Sequence, residues 1–182
     1  MPDPFISPQD LVDYLGRGTA TDPGFVIVCD AACDMCRTVA ERDFNAGTAT
    51  IAIDGSGTDA VLVPSRFLPL NTVGTVTVNG GTITDVVVND NGILFRGSAG
   101  VDPRPVWPMG RQNVTATFTH GYAEVDLPRD VRMVALSIAS RLVVQGVAVE
   151  ESVGPVRMKY ANAATDLTNG ELRILGKYRQ MR

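Results

Sequence analysis

The chain has 182 residues, 45% of them hydrophobic and 20% charged, which fits one domain or one domain with an insertion and excludes a disordered chain. Sixteen basic against 20 acidic side chains leave a formal charge of −4, so there is no general attraction to nucleic acid or anionic lipid. The longest uncharged stretch, Phe67 to Thr84, is rich in Thr, Gly and Asn and makes no membrane span, and Met1-Pro-Asp-Pro lacks the basic and apolar regions of a signal peptide.

Ser7-Pro8-Gln9-Asp10 opens a short first helix: Ser7 caps it, Pro8 suits the first turn, and Asp10 is the capping-box acid. Ile6 and Leu11 are spaced as a hydrophobic staple, and Gly16 ends the segment. A second helix is expected from Gly24 to Arg42. Phe25, Val28, Cys29, Ala32, Cys33, Cys36, Val39 and Ala40 fall on one side of it, with Asp30, Asp34, Arg37 and Glu41 on the other. From Thr48 to Thr119 the period changes to two. Ile51 and Ile53 precede the turn Asp54-Gly55-Ser56-Gly57, read as a hairpin, and Val61 and Val63 follow it. Asn79-Gly80 and Asn91-Gly92 mark two further tight turns, and Val114, Ala116 and Phe118 form the last strand.

A third helix starts near Pro128, with Val131, Val134, Ala135, Ile138, Ala139, Leu142 and Val143 at helical spacing until Gly146. An extended segment follows. Thr168 and Glu171 then make a second capping box, with Leu167 and Leu172 as its staple, and open a helix carrying Leu172, Leu175 and Tyr178 on one side. The fold class is therefore α+β: a small helical bundle from both chain ends with an inserted antiparallel β-sandwich or barrel-like unit. The expected division is 1–46 with 123–182 for the bundle, and 47–122 for the insertion.

Cys29, Cys33 and Cys36 have the C-x3-C-x2-C spacing that radical S-adenosylmethionine enzymes use for an iron–sulfur cluster. That chemistry needs the thiolates on a loop around one cluster face, whereas here they lie on the apolar stripe of a helix, where cysteine behaves as a small hydrophobe. His120 is the one histidine, and no nucleophile elbow, phosphate loop or zinc pattern accompanies it. It is expected as a turn residue with a satisfied ring. The sequence argues against an enzyme and assigns no catalytic, cofactor-binding or metal-ligating residue. An iron–sulfur enzyme and a β-sandwich binding module are the competing readings.

Residues 157–182 hold six basic and two acidic side chains, on a chain that is otherwise acidic. A basic tail suits an acidic partner. Four ordered segments then carry a resemblance: Ser7 to Gly16, Ile53 to Pro64, Trp107-Pro-Met-Gly through Thr119-His-Gly-Tyr122, and Leu127 to Leu142. Together they resemble the head–tail connector (adaptor) proteins of long-tailed bacteriophages, in the version with a β insertion. The cysteine-bearing second helix and the loop around Val101 to Pro105 depart from that pattern.

The resemblance implies a structural virion protein of the neck, assembled in the host cytoplasm. It implies a ring of this chain, usually a dodecamer, beneath the portal protein. The ring would extend the DNA channel toward a stopper or tail-completion protein, and DNA would pass without sequence-specific binding. The C-terminal stretch is the portal-docking segment by this resemblance, with Arg157, Lys159, Tyr160, Arg173, Lys177, Tyr178, Arg179 and Arg182 as its candidate residues. Helical faces outside the bundle, Ile27 and Val144 among them, are expected to supply the contact between copies. Val147 to Thr165, with few helix signals, is expected to order on docking.

Overall fold

The computed structural model describes residues 3–89, 91–97, 104–145, 150–153, 156–159 and 166–179. For Glu150–Val153 and Val156–Lys159 the backbone alone is described. The fold is α+β, with helices at both ends of the chain flanking a region of antiparallel strands. The chain divides into two compact units, Met1–Glu41 with Leu127–Arg182, and Arg42–Asp126.

The first unit holds α1 (Pro8–Leu15), α2 (Pro23–Ala40), α3 (Arg129–Gln145) and α4 (Asn169–Gly176). Both sides of the α1 capping box form: the Asp10 N–H donates to Ser7 Oγ and the Ser7 N–H to Asp10 Oδ2. Ile6 and Leu11 are both buried, and Gly16 closes the helix in the left-handed region. Asp22 caps α2 through the Gly24 N–H. The helix stops before Arg42, because Glu41 takes a positive φ of 51° and its N–H turns back to the Arg37 carbonyl.

The side of α2 expected to be apolar is buried, and the three cysteines are in it. Arg37, expected on the outer side, is also buried: it pairs with Asp34 at 2.8 Å, donates to the Asp3 carbonyl and lies 5.3 Å from the Phe5 ring centroid. α3 buries Val131, Val134, Ala135, Leu136, Ile138 and Ala139 and packs on the other three helices. A short helix cannot stand alone in water; each of these gains its stability from the shared apolar interior.

Between α3 and α4 the extended segment is a two-stranded antiparallel hairpin, β8 (Glu150–Val153) on β9 (Val156–Lys159). The remainder of Val147 to Thr165, and with it the expected ordering on docking, lies outside the described residues.

The second unit holds seven strands: β1 (Gly47–Gly55), β2 (Ala60–Leu62), β3 (Leu70–Val78), β4 (Gly81–Ile83), β5 (Val86–Asn89), β6 (Ile93–Arg96) and β7 (Gly110–His120). They form two antiparallel sheets, in the orders β1-β7-β3-β4 and β2-β6-β5. β7 is central to the larger sheet because its alternation is complete. Val114, Ala116 and Phe118 face the core, while Thr117 and Thr119 meet Thr50 and Thr72 on the other face at 2.8 and 2.6 Å. One core joins the two sheets, built on Val61, Leu94, Trp107, Val114 and Phe118 with Phe67 and Leu70. The Trp107 indole donates to the Asp59 and Leu94 carbonyls, so its polar edge is satisfied inside.

Asn79-Gly80 makes the expected tight turn, both residues at positive φ. Asp54-Gly55-Ser56-Gly57 is no hairpin. β1 pairs with β7 and β2 with β6, so this turn carries the chain from one sheet to the other. Its Gly55 is required, since a Cβ there would lie 1.9 Å from the Pro108 carbonyl oxygen.

Candidate assembly and docking surfaces

The C-terminal helix α4 and the turn after it hold four of the eight docking candidates, and a buried polar network attaches the helix. The Glu171 carboxylate, at the third helical position, accepts from the Thr168 N–H and completes the second capping box. It also receives both Arg141 Nη atoms, at 2.7 and 3.0 Å, and the Ser137 hydroxyl at 3.0 Å. Arg141 Nη2 additionally donates to the Asp166 carbonyl. Burial alone raises the Glu171 pKa, but the hydrogen bonds from Arg141, Thr168 and Ser137, with the Arg141 charge, outweigh it and hold the carboxyl below its usual range. Leu175 is fully buried, while Leu172, expected to form a staple, is 42% exposed. The buried residue of the first turn is the charged one, because its partner is α3 and not the apolar core.

Of the eight docking candidates, Arg173 is exposed on α4, and among the described residues it has no ion-pair partner. Lys177 is also exposed, 4.0 Å from Asp130 Oδ2. The Tyr178 hydroxyl donates to Asp130 Oδ1 at 2.6 Å, and Arg179 is paired with Glu41. These last two fasten the C-terminal turn to α3 and to the end of α2. Arg157 and Lys159 lie on β9. Tyr160 and Arg182 lie outside the described residues. The structure thus brings Arg173, Lys177, Tyr178 and Arg179 into one short stretch. Sequence reasoning missed Asp130, Arg141 and Glu41 as the anchors beneath it. The capping box pointed to Glu171, but nothing local pointed to an arginine thirty residues earlier.

The helical unit also presents apolar side chains to solvent: Ile27 at 67%, Val144 at 55% and Met133 at 52% exposure. α1 and α2 lie in a segment, residues 1–41, with seven acidic and two basic side chains.

The three cysteine thiols are withdrawn from solvent. Cys29, Cys33 and Cys36 are free thiols with no exposed surface. Burial first, then the neighbouring Cys33, pushes Cys29 and Cys36 up to about 12, and burial raises Cys33 as well. They sit on a packed helix face rather than on a loop. Among the described residues no group of three or more His, Cys, Asp or Glu side chains is placed to hold a metal ion.

His120 ends β7 and packs edge-on against Phe67 at 5.1 Å and Phe118 at 6.2 Å. The expectation of a satisfied ring fails at Nδ1, which is buried without a hydrogen-bond partner. Burial lowers its pKa and Arg66 adds to that, against the opposite pull of Asp43. Its neighbour Gly121 (φ 80°) explains the rest of the motif: a Cβ there would lie 2.0 Å from the Asn45 carbonyl oxygen, where the chain enters and leaves the unit side by side.

A shallow cleft of about 560 Å³ is lined by Ala52, Ile53 and Asp54 of β1, Ala60 to Leu62 of β2, Ser56 and Gln112. Its two polar side chains of catalytic type are engaged locally: Asp54 accepts the Gln112 N–H at 2.7 Å and the Ser56 hydroxyl donates to the Ala60 carbonyl at 2.7 Å.

No protein-family model and no curated protein sequence matches the chain. Solved structures do. The fold is similar to a chain in the virion of a native gene transfer agent particle, with a TM-score of 0.65 and 16% identity, covering 100% of this chain and 93% of that one. It is also similar to a chain in the neck of a native gene transfer agent particle computed with C12 symmetry, with a TM-score of 0.62 and 15% identity, covering 96% and 88%.

Proposed function

We propose that this chain is a structural protein of a phage-type neck: an adaptor whose copies form a ring beneath a portal, carry the DNA channel onward and join head to tail. The observation that supports this most is fold similarity over 96% of the chain to a chain in the neck of a gene transfer agent particle computed with C12 symmetry. The surfaces agree. Thiols and histidine are buried, while the helical unit exposes Ile27, Met133 and Val144 and a basic C-terminal turn. That distribution serves contact rather than chemistry.

In physical terms the ring is a repeated head-to-tail contact that closes when the rotation between copies divides the circle. An acidic chain lining a channel keeps passing DNA from adhering. Arg173 and Lys177, with Arg157 and Lys159, supply a positive docking segment toward the portal, and many weak copies of that contact bind together far more tightly than one.

The test mixes the full chain with an isolated portal ring at low salt and follows co-migration by size-exclusion chromatography. Stable binding, lost in the Arg173→Glu/Lys177→Glu variant, is expected. Failure of the full chain to bind refutes the portal role, and undiminished binding of the variant refutes the docking segment.

A further inference from the structure

We infer that copies are joined by strand addition: β9 in the hairpin of one copy pairs with the free edge of β1 on the next. This rests on the ring reading and adds where the ring is joined. β1 ends the larger sheet, bonded to β7 on one side and, among the described residues, to no strand on the other. The other strands with a free edge, β2, β4, β5, β8 and β9, have three or four residues each, whereas β1 has nine. A long edge is normally blunted by proline, lysine or a bulge. Residues 47–53 carry no proline and no charge, and their register with β7 is unbroken as far as Ile53. The core-facing side of β1 is unfinished as well: Ala49, Ile51 and Ile53 are only partly buried, and the cleft lies along Ile53, Val61 and Leu62.

The N–H and C=O groups along such an edge are matched by another extended backbone. The chain itself supplies one that needs a neighbour. Among the described residues β8 and β9 form a sheet of two strands, with no third strand on either edge and no helix of their own unit packed extensively on them. A two-stranded ribbon is marginal in water and gains stability from a third strand. The sequence of β9, Val156-Arg-Met-Lys159, alternates apolar and basic residues. With a period of two, Val156 and Met158 then cover Ile51 and Ile53. Arg157 and Lys159 stay on the same outer face as the exposed Asp54, still available to the portal. Pairing β1 with β1 of another copy is two-fold and stops at two chains. Adding β9 to β1 is heterologous and leaves one free hairpin and one free edge, so copies add until the circle closes.

The experiment uses the full chain in two single variants, Thr50→Cys on β1 and Arg157→Cys on β9, joined by a short bis-maleimide at high protein concentration and low salt. The native thiols are buried, so the background is low. The expected result is a mixed dimer when the two variants are combined, little product from either alone, and a ladder of multimers from the double variant. Hydrogen exchange supplies the second readout: in wild-type rings the amides of residues 47–53 should exchange about tenfold or more slowly than in the dilute chain. A double variant that is joined only within one chain overturns the contact between copies. If wild-type rings form while no mixed dimer appears and exchange along β1 is unchanged, this contact is wrong and the ring reading stands. A wild-type chain that stays single at every concentration, and adds no ring to a portal, contradicts both.

Discussion

Replacing Arg141 by alanine removes the guanidinium that holds α4 on α3. Glu171 keeps its cap to the Thr168 N–H and its bond from Ser137 but loses two charge-assisted hydrogen bonds, at 2.7 and 3.0 Å. Breaking a fully buried pair from one side costs about 3–5 kcal/mol. Arg141 is 18% exposed, so water screens part of the loss and about 2–3 kcal/mol is the appropriate range. α4 has eight residues, with Leu175 as its fully buried apolar anchor. The cost therefore falls on local undocking of the helix rather than on the whole unit. Amide hydrogen exchange should speed up about 30- to 140-fold across Asn169–Gly176, with α2 and α3 close to unchanged. Glu171→Gln keeps the capping geometry, so Arg141→Met/Glu171→Gln should recover part of the protection lost in Arg141→Ala. Unchanged exchange in α4, or equal acceleration across all four helices, would refute the claim that this network pins α4.

The two units should respond to acid at different pH. The His120 pKa is lowered from 6.5, so below pH 6.5 the unfolded chain takes up the proton first; the strand unit loses stability as pH falls until the folded ring also titrates. Glu171 and Asp10 are lowered from 4.5 and 3.8, so the helical unit holds its stability above those values and loses it as pH falls through them toward the folded pKa values. Urea melts followed by Trp107 fluorescence and by helical circular dichroism separate the two, and His120→Gln should flatten the slope that begins below pH 6.5. Gly121→Ala forces a Cβ onto the Asn45 carbonyl at a positive φ and should cost at least ~2 kcal/mol in a urea melt. The native thiols should resist maleimide at pH 8 and all three should react once the chain is unfolded; fast labelling of the folded protein would contradict their packing.

Features set by neighbouring residues were legible in the sequence. Ser7 with Asp10, Gly16, Thr168 with Glu171, and Asn79-Gly80 all act within one turn of chain, and each has the expected geometry. The apolar stripe of α2 was legible too, since helical spacing alone defines it. What depended on distant partners was not. Asp54 to Gly57 looks like a hairpin, but the choice of β7 and β6 as strand partners sends β1 and β2 to different sheets. Arg37 lies opposite the apolar residues on a helical wheel, yet the Asp3 carbonyl and the Phe5 ring draw it inward. Leu172 and Glu171 exchange their expected environments because Arg141, thirty residues earlier, lies beneath the charged one. The basic C-terminal stretch was marked by its charge, but the bond from Tyr178 to Asp130 and the pairing of Arg179 with Glu41 needed the fold. Those two contacts, with the buried Glu171 and Leu175, tie α4 and the turn after it to α2 and α3.

Electron microscopy of the chain assembled on isolated portal rings tests the account most directly. The account predicts a closed, rotationally symmetric layer of this chain coaxial with the portal and open along its centre. Portal rings that remain bare, or that carry the chain as scattered single copies without a continuous layer, would contradict it.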